Sequence, residues 1–425
     1  MTWSELFTQE VRVRESPYPM IPVETAIAIV LQHVQPLSPT TADFMEALGL
    51  VLAEDVYASE AMPPFAVSAV DGYAVIAADT SPIRRLIGAQ LAGSVGTFVV
   101  TLGSTVHVMT GAPIPAGADA VVMVEQASEE NGHVRLHVQP AVGDNIRPAG
   151  QDIAVGQLVL SRGTLLGSAE IGLLATVGRT RVNVHPRPRV AVLSTGDELV
   201  DPKDKPKPGQ IRDANRYSLL SAVREAGGQP LDWGRVPDRA EAVQEALESA
   251  VRQADAVLTS GGVSMGELDL VKPYLAKRGT VHFGRVRARP GKPVTFATVE
   301  GVPVFAMPGF PVSALVSFEV YVRPALLKMA GHTYVHRPRQ RVIIEHAIRH
   351  EPDRTEFQRA IVTRRADGRY TAHTTGYQGS GRLLSMVGAN ALLVLPAEQE
   401  MFPAGSELEA WLIAPVREEE TPANS

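Results

Sequence analysis

Three times between Arg189 and Gly331 an aliphatic run ends in a polar, glycine-containing turn that precedes a helical stretch. The turns are Ser194-Thr195-Gly196-Asp197-Glu198, Ser260-Gly261-Gly262-Val263-Ser264-Met265-Gly266 and Pro308-Gly309-Phe310-Pro311-Val312-Ser313. The pattern predicts strands over Arg189–Leu193, Asp255–Thr259, Val294–Thr298 and Val304–Met307. Helices are predicted over Asn215–Ala226, Arg239–Ala254 with Asp238 as N-cap, Leu268–Arg278 and Ser313–Met329. Strand and helix alternating at this spacing imply a mostly parallel sheet covered on both faces. In such a sheet all three turns lie at the carboxyl edge, where free amides favour an anionic ligand.

The flanking segments read differently. At 425 residues the chain is long enough for about three domains. Val23–Val34 and Thr41–Leu52 carry apolar residues at helical spacing, so the chain is expected to open with helices, and Ser168–Val177 is expected to return to them. From Ala61 to His137 short β-branched runs such as Phe98–Val100, Val106–Met109 and Ala120–Val124 predict a small β module. Asn131-Gly132 is its strongest hairpin signal. Arg341–Pro415 is again β, with Asp367-Gly368 as a turn, and Glu418–Ser425 reads as a disordered tail.

Composition narrows the chemistry. Forty basic against 46 acidic side chains give a net charge of -6, which disfavours a nucleic-acid-gripping protein. The absence of cysteine removes disulfides, thiolate nucleophiles and Cys-ligated metals, leaving oxygen and imidazole as metal ligands. The charged N-terminus holds no signal-peptide core, and prolines and charges interrupt the longest apolar window, Val302–Phe318. The expectation is a cytoplasmic protein without a membrane span.

Gly291-Lys292 is followed by Pro293 and precedes a strand, so it is no Walker loop, and no G-x-G-x-x-G opens a helix. Gly262-Val263-Ser264-Met265-Gly266 matches the hydrolase elbow G-x-S-x-G, but the extra Gly261-Gly262 pair suits amide presentation better than a nucleophile turn. Asp197, Glu198, Glu267 and Asp269 follow the glycine turns, while Asp71 and Asp152 sit in Gly-flanked turns elsewhere. Acids beside phosphate-binding loops would repel the ligand unless a hard cation bridges them, which points to Mg²⁺. Arg285, Arg287 and Arg289 alternate before Lys292 and are candidates for an anion clamp. The 11 histidines show no paired metal spacing. Residue chemistry alone thus indicates a magnesium-assisted enzyme acting on a phosphorylated anion.

The ordered motifs go further. Ser68-Ala69-Val70-Asp71-Gly72-Tyr73-Ala74, Thr110-Gly111-Ala112-Pro113-Ile114-Pro115-Ala116-Gly117-Ala118-Asp119, Asn145-Ile146-Arg147-Pro148-Ala149-Gly150-Gln151-Asp152-Ile153, Val192-Leu193-Ser194-Thr195-Gly196-Asp197-Glu198-Leu199, the Ser260–Gly266 loop and Pro290-Gly291-Lys292-Pro293 follow one another across nearly the whole chain. In that order they resemble the molybdopterin molybdenumtransferase family, which includes bacterial MoeA and the C-terminal domain of gephyrin.

The resemblance implies a multidomain α/β plus β protein. Its parts are a discontinuous helical domain (18–62 and 150–188), an inserted small β domain (63–149), a three-layer α/β molybdopterin-binding domain (189–331), a C-terminal β barrel (337–415) and a tail (416–425). It implies a homodimer that takes adenylylated molybdopterin and molybdate and releases AMP and molybdenum cofactor with Mg²⁺. The molybdopterin adenylyltransferase and cofactor-receiving enzymes are further candidate partners; nucleic acid and membrane are not.

By motif match, Asp71, Thr110, Asp152, Glu198, Asp238 and Asp269 carry over as catalytic positions, with Glu198 and Asp269 as metal ligands. Substrate contacts are Arg147, Ser194, Thr195, Gly196, Ser260, Gly261, Gly262, Ser264, Arg285, Arg289, Lys292, Pro308, Pro311, Arg359 and Ser380. Two departures stand out: Arg285 and Arg289 where the family often has Lys, and Phe310 where it usually has Asn. A non-catalytic scaffold of gephyrin type and the related adenylyltransferase are the competing readings.

Overall fold

The computed structural model describes residues 18–262 and 270–419, in two compact units, Thr41–Val184 and the remainder.

In the larger unit a six-stranded sheet runs in the order Gln229–Val236, Arg189–Thr195, Ala256–Ser260, Val302–Met307, Thr295–Val299, Thr280–Phe283. The first four strands are parallel; Thr295–Val299 runs antiparallel to Val302–Met307, and Thr280–Phe283 antiparallel in turn to Thr295–Val299. Alternation along Arg189–Thr195 makes the three layers. Val190 and Val192 face one core with the helices Val23–Gln32, Asn215–Glu225 and Pro311–Ser317, while Ala191 and Leu193 face another with Ala240–Gln253 and Val271–Arg278. Ala240–Gln253 buries Val243, Leu247, Ala250 and Val251, one stripe of a 3.6-residue period. Its N-cap is Arg239 without a side-chain cap bond, so Asp238 is not the cap the sequence suggested. The helix Pro311–Ser317 continues through a π turn, Phe318–Val322, into Arg323–Met329.

The strands Thr355–Arg364, Tyr370–Thr374, Arg339–Ile344, Glu407–Leu412 and Ala391–Leu395 pair in a closed cycle, forming a five-stranded barrel. Ala391, Leu393 and Leu395 fill it, whereas Leu392, Phe357 and Trp411 point outward into the core shared with the α/β sheet. Arg417–Glu418 pairs with Thr363–Arg364, so the tail is ordered further than its composition suggested; residues 420–425 lie outside the described part.

In the unit Thr41–Val184 a six-stranded sheet orders Ala120–Met123, Gly72–Val75, Ser104–Val108, Ile83–Gln90, His133–Leu136 and Ala127–Glu130. Asn131 and Gly132 both take positive φ, 51° and 73°, the geometry of a two-residue primed hairpin turn. The strand preceding the turn is Ala127–Glu130, which pairs with His133–Leu136. Phe98–Val100 forms only a single bridge, at Val99. A second core gathers Ala47, Leu52, Val56, Leu166, Leu174 and Val182 under the helix Ser168–Thr176.

Thr41–Leu52 is not helical. Thr40–Asp43 and Val51–Leu52 are strands on either side of Arg181–His185, and the apolar spacing reflects their burial in this core rather than a helix face. The multidomain α/β plus β architecture is as the sequence implies, but the opening helix Val23–Gln32 packs in the α/β core, so Ser168–Thr176 does not return to it as expected and packs instead over strand residues.

Candidate active site

The carboxyl edge of the α/β sheet carries a cleft of about 140 Å³ lined by Thr195, Glu198, Asp213, Asn215, Ser260, Gly261, Gly309 and Pro311, among others. All three glycine turns therefore open onto it. Thr195 ends the first strand, and its hydroxyl is buried without a hydrogen-bond partner among the described residues. At Gly196 (φ 145°) a Cβ would sit 2.7 Å from the Glu198 carboxylate, so only glycine leaves that acid in place. At Gly261 (φ 93°) a Cβ would come within 2.6 Å of the Thr195 carbonyl oxygen, which makes glycine the condition for the first two loops to touch.

A polar segment that sequence reasoning treated only as a helix start pins the loops together. Asp213, 2% exposed, accepts the Ser194 hydroxyl at 2.5 Å and the Arg216 amide and Nε at 3.1 Å. Arg216 also donates to both oxygens of Asp232, at 2.6 and 2.7 Å. Asn215 Nδ2 donates to Ser260 Oγ at 2.8 Å and to the Gly309 carbonyl at 2.7 Å. The available signal was Asp213-Ala214-Asn215-Arg216 itself, four residues with three polar side chains where an N-cap alone needs one.

Beside the cleft the backbone amides of Asp197 and Asp238 each donate to the other's carboxylate, at 3.3 Å. Burial, then the negative charges of Asp197 and Glu198, push the Asp238 carboxyl above its ordinary pKa. Crowded acids of this kind suit a cation. No three acid or histidine side chains among the described residues form a ready-made cage, but Mg²⁺ that keeps waters and shares substrate phosphates needs only one or two carboxylates. Glu267, Asp269 and Ser264 lie outside the described residues.

Other sequence-predicted positions fall nearby in the same unit. Pro308 leads into the third turn. The Ser380 carbonyl accepts the Val312 amide at 3.0 Å, so a barrel loop caps that turn, and the largely exposed Phe310 ring lies beside Gly381. Gly291 abuts Ser317 on the helix that follows, which brings Lys292 to that helix, though Lys292 does not line the cleft. The expected common clamp of Arg285, Arg287 and Arg289 does not form as drawn. Arg287 is exposed, and Arg289 pairs with Glu351 at 2.9 Å in a separate barrel groove of about 630 Å³. Arg289 leaves the others because Ala288–Arg289 pairs as a strand with Thr355–Glu356 of the barrel. Arg359, on the same outward face of its strand as Phe357 and opposite Leu392, is fully buried outside the barrel, bonded to Ser385 Oγ at 3.1 Å and the Phe357 carbonyl at 3.2 Å; burial pushes its pKa down to about 10. It lines neither concavity, since its long cationic side chain is captured by the local acceptors of the neighbouring loop and its own strand.

The unit Thr41–Val184 gathers its own four candidates. Asp71 accepts the Thr110 amide at 2.7 Å and hydroxyl at 2.9 Å, and these bonds hold its carboxyl below the usual range. Arg147 pairs with Asp152. The strand Val67–Ser68 joins both pairs, because it bonds Ile146–Arg147 on one side and the Gly111–Ala112 turn on the other.

Fold and site define a multidomain α/β enzyme class with an acid-rimmed, glycine-lined ligand cleft. Family models match along the chain: MoeA N-terminal region (domain I and II) at 21–178, a probable molybdopterin binding domain at 191–328 and MoeA C-terminal region (domain IV) at 341–413. Molybdopterin molybdenumtransferase 2 of Mycobacterium tuberculosis is 35% identical over 396 residues, covering 90% of this chain and 97% of its own. The chain is 36% identical to gephyrin of Dictyostelium discoideum but spans only 64% of that protein's length, against 95% of its own. A molybdopterin biosynthesis MoeA structure from Pyrococcus horikoshii superposes with a TM-score of 0.81 at 31% identity, covering 93% of this chain and all of that one. The chain belongs to the molybdopterin molybdenumtransferase family. No helix among the described residues is long and apolar enough to cross a membrane.

Proposed function

We infer that this chain is a molybdopterin molybdenumtransferase: it inserts molybdenum from molybdate into adenylylated molybdopterin, releasing AMP and molybdenum cofactor. The observation that carries the reading is the meeting of three glycine turns and Glu198 in one cleft, cross-linked by Asp213 and Asn215. The turns present backbone at a distance that side chains would forbid, which suits a diphosphate. Hydrolysis breaks one P–O bond of the diphosphate; the water oxygen stays on one phosphorus and AMP leaves with the bridging oxygen or the new one. Mg²⁺, held by Glu198 and Asp269 with substrate oxygens, would neutralise charge on the leaving phosphate. Glu198 and Asp238 keep the rim acidic, and Ser194, fixed by Asp213, sets the first turn.

The same reading extends to a homodimer, with the adenylyltransferase and cofactor-receiving enzymes as partners. Incubation of the protein with adenylylated molybdopterin, Mg²⁺ and molybdate tests it. AMP release matched by molybdenum incorporation supports the reading. A gephyrin-type scaffold releases no AMP, and an adenylyltransferase consumes ATP and unmodified molybdopterin instead.

A further inference from the structure

We propose that Asn215 reads the nucleoside half of the substrate, its side-chain carbonyl accepting a hydrogen bond from a hydroxyl or amino group of the adenylate. The inference rests on the adenylylated-substrate reading above. Asn215 begins the helix Asn215–Glu225 and lines the cleft with Ser260, Gly309 and Pro311. Its orientation follows from chemistry: Nδ2 lies 2.7 Å from the Gly309 carbonyl, which only accepts, so the nitrogen and not the oxygen faces that atom. The second Nδ2 hydrogen goes to Ser260 Oγ at 2.8 Å. Both donors are thereby used. Oδ1 is left as an acceptor with no hydrogen bond among the described residues, and flipping the amide would forfeit the bond to Gly309.

An immobilised acceptor selects for donors. The phosphates of the substrate offer none when ionised, whereas the nucleoside offers two ribose hydroxyls and one exocyclic amine. Asn215 therefore suits a donor-bearing part of the substrate, leaving the phosphates to the backbone of the turns; the pterin also carries N–H donors, and discrimination among the nucleotides below is what assigns the contact to the nucleoside. Because the amide is already anchored at two points, little freedom is lost on binding, and a site of this build rejects analogues that lack the donor.

The test is equilibrium binding of AMP, 2′-deoxy-AMP, 3′-deoxy-AMP and IMP, with Mg²⁺ present, to the full chain and to its Asn215→Ala variant. The wild type is expected to prefer AMP about tenfold over one of the three analogues, which identifies the donor. The variant is expected to lose that preference. If Asn215 only ties the loops together, the variant weakens all four ligands by one factor and keeps the preference, which overturns the proposal. Equal binding of all four by the wild type overturns it as well. A wild type that binds none of them overturns instead the adenylylated-substrate reading beneath it. Should Asn215→Ala not fold, Asn215→Ser removes the planar carbonyl while keeping a hydroxyl, and the same loss of preference is expected.

Discussion

Ser194 and Asp213, 19 residues apart in sequence, meet at 2.5 Å on the floor of the cleft, both buried. The bond closes the excursion through Leu199–Val200 and Ile211–Arg212, which pair in parallel, and it connects the first glycine turn to the Arg216 guanidinium. Asp213→Ala leaves that buried cation with Asp232 as its remaining acid partner. The expected cost is about 3 kcal/mol of unfolding free energy, measured by urea denaturation. A loss below about 1 kcal/mol would show that Asp232 alone satisfies Arg216.

Gly261→Ala places a methyl group within 2.6 Å of the Thr195 carbonyl at a φ of 93°. Strain at such a backbone costs about 2 kcal/mol, and the two turns must separate. Activity is expected to fall more than tenfold while the barrel interior, which contains none of the residues around Gly261, keeps its hydrogen-exchange protection. Gly209, whose Cβ position is open, is the control: its φ of 83° is equally unusual, but no loop contact is lost.

Much of this architecture was legible because single residues carried it. Asn131-Gly132 fixed a hairpin turn and Asp367-Gly368 another, and the three glycine turns marked the sheet edge. The errors arose where long-range packing outweighed local pattern. Thr41–Leu52 has helix-like spacing, yet its apolar residues are used by strand pairing with Arg181–His185. Arg285, Arg287 and Arg289 alternate as drawn, but strand pairing at Ala288–Arg289 commits the last to Glu351. Asp213 and Asn215 escaped notice because their partners, Ser194, Ser260 and Gly309, are brought near only by the fold.

The raised pKa of Asp238 gives a pH signature. A carboxyl whose folded pKa lies above its unfolded value near 3.8 binds protons more tightly in the native state, so stability falls as pH rises through that interval. Asp238→Asn removes this penalty. The variant is expected to melt higher than the wild type at pH 7, with the difference closing as pH drops below 3.8. Because the same acid is a catalytic candidate, its activity is expected to fall. A variant that melts lower at pH 7 would mean that the Asp197 amide bond outweighs burial and repulsion.

In the unit Thr41–Val184, Thr110→Val removes the hydroxyl donor to Asp71 while leaving the amide donor. The Asp71 carboxyl is then expected to titrate closer to its ordinary value, seen by carbon NMR. Thermal stability should change little, because both residues are exposed. An unchanged titration would assign the whole depression to the backbone bond.

The convergence of the glycine turns and Glu198 on one diphosphate is tested most directly by the single-turnover rate of AMP release from adenylylated molybdopterin with molybdate and Mg²⁺. Glu198→Gln, close in shape but without charge, is expected to slow that release at least a hundredfold while melting at the wild-type temperature. Release at the wild-type rate from the folded variant would contradict it.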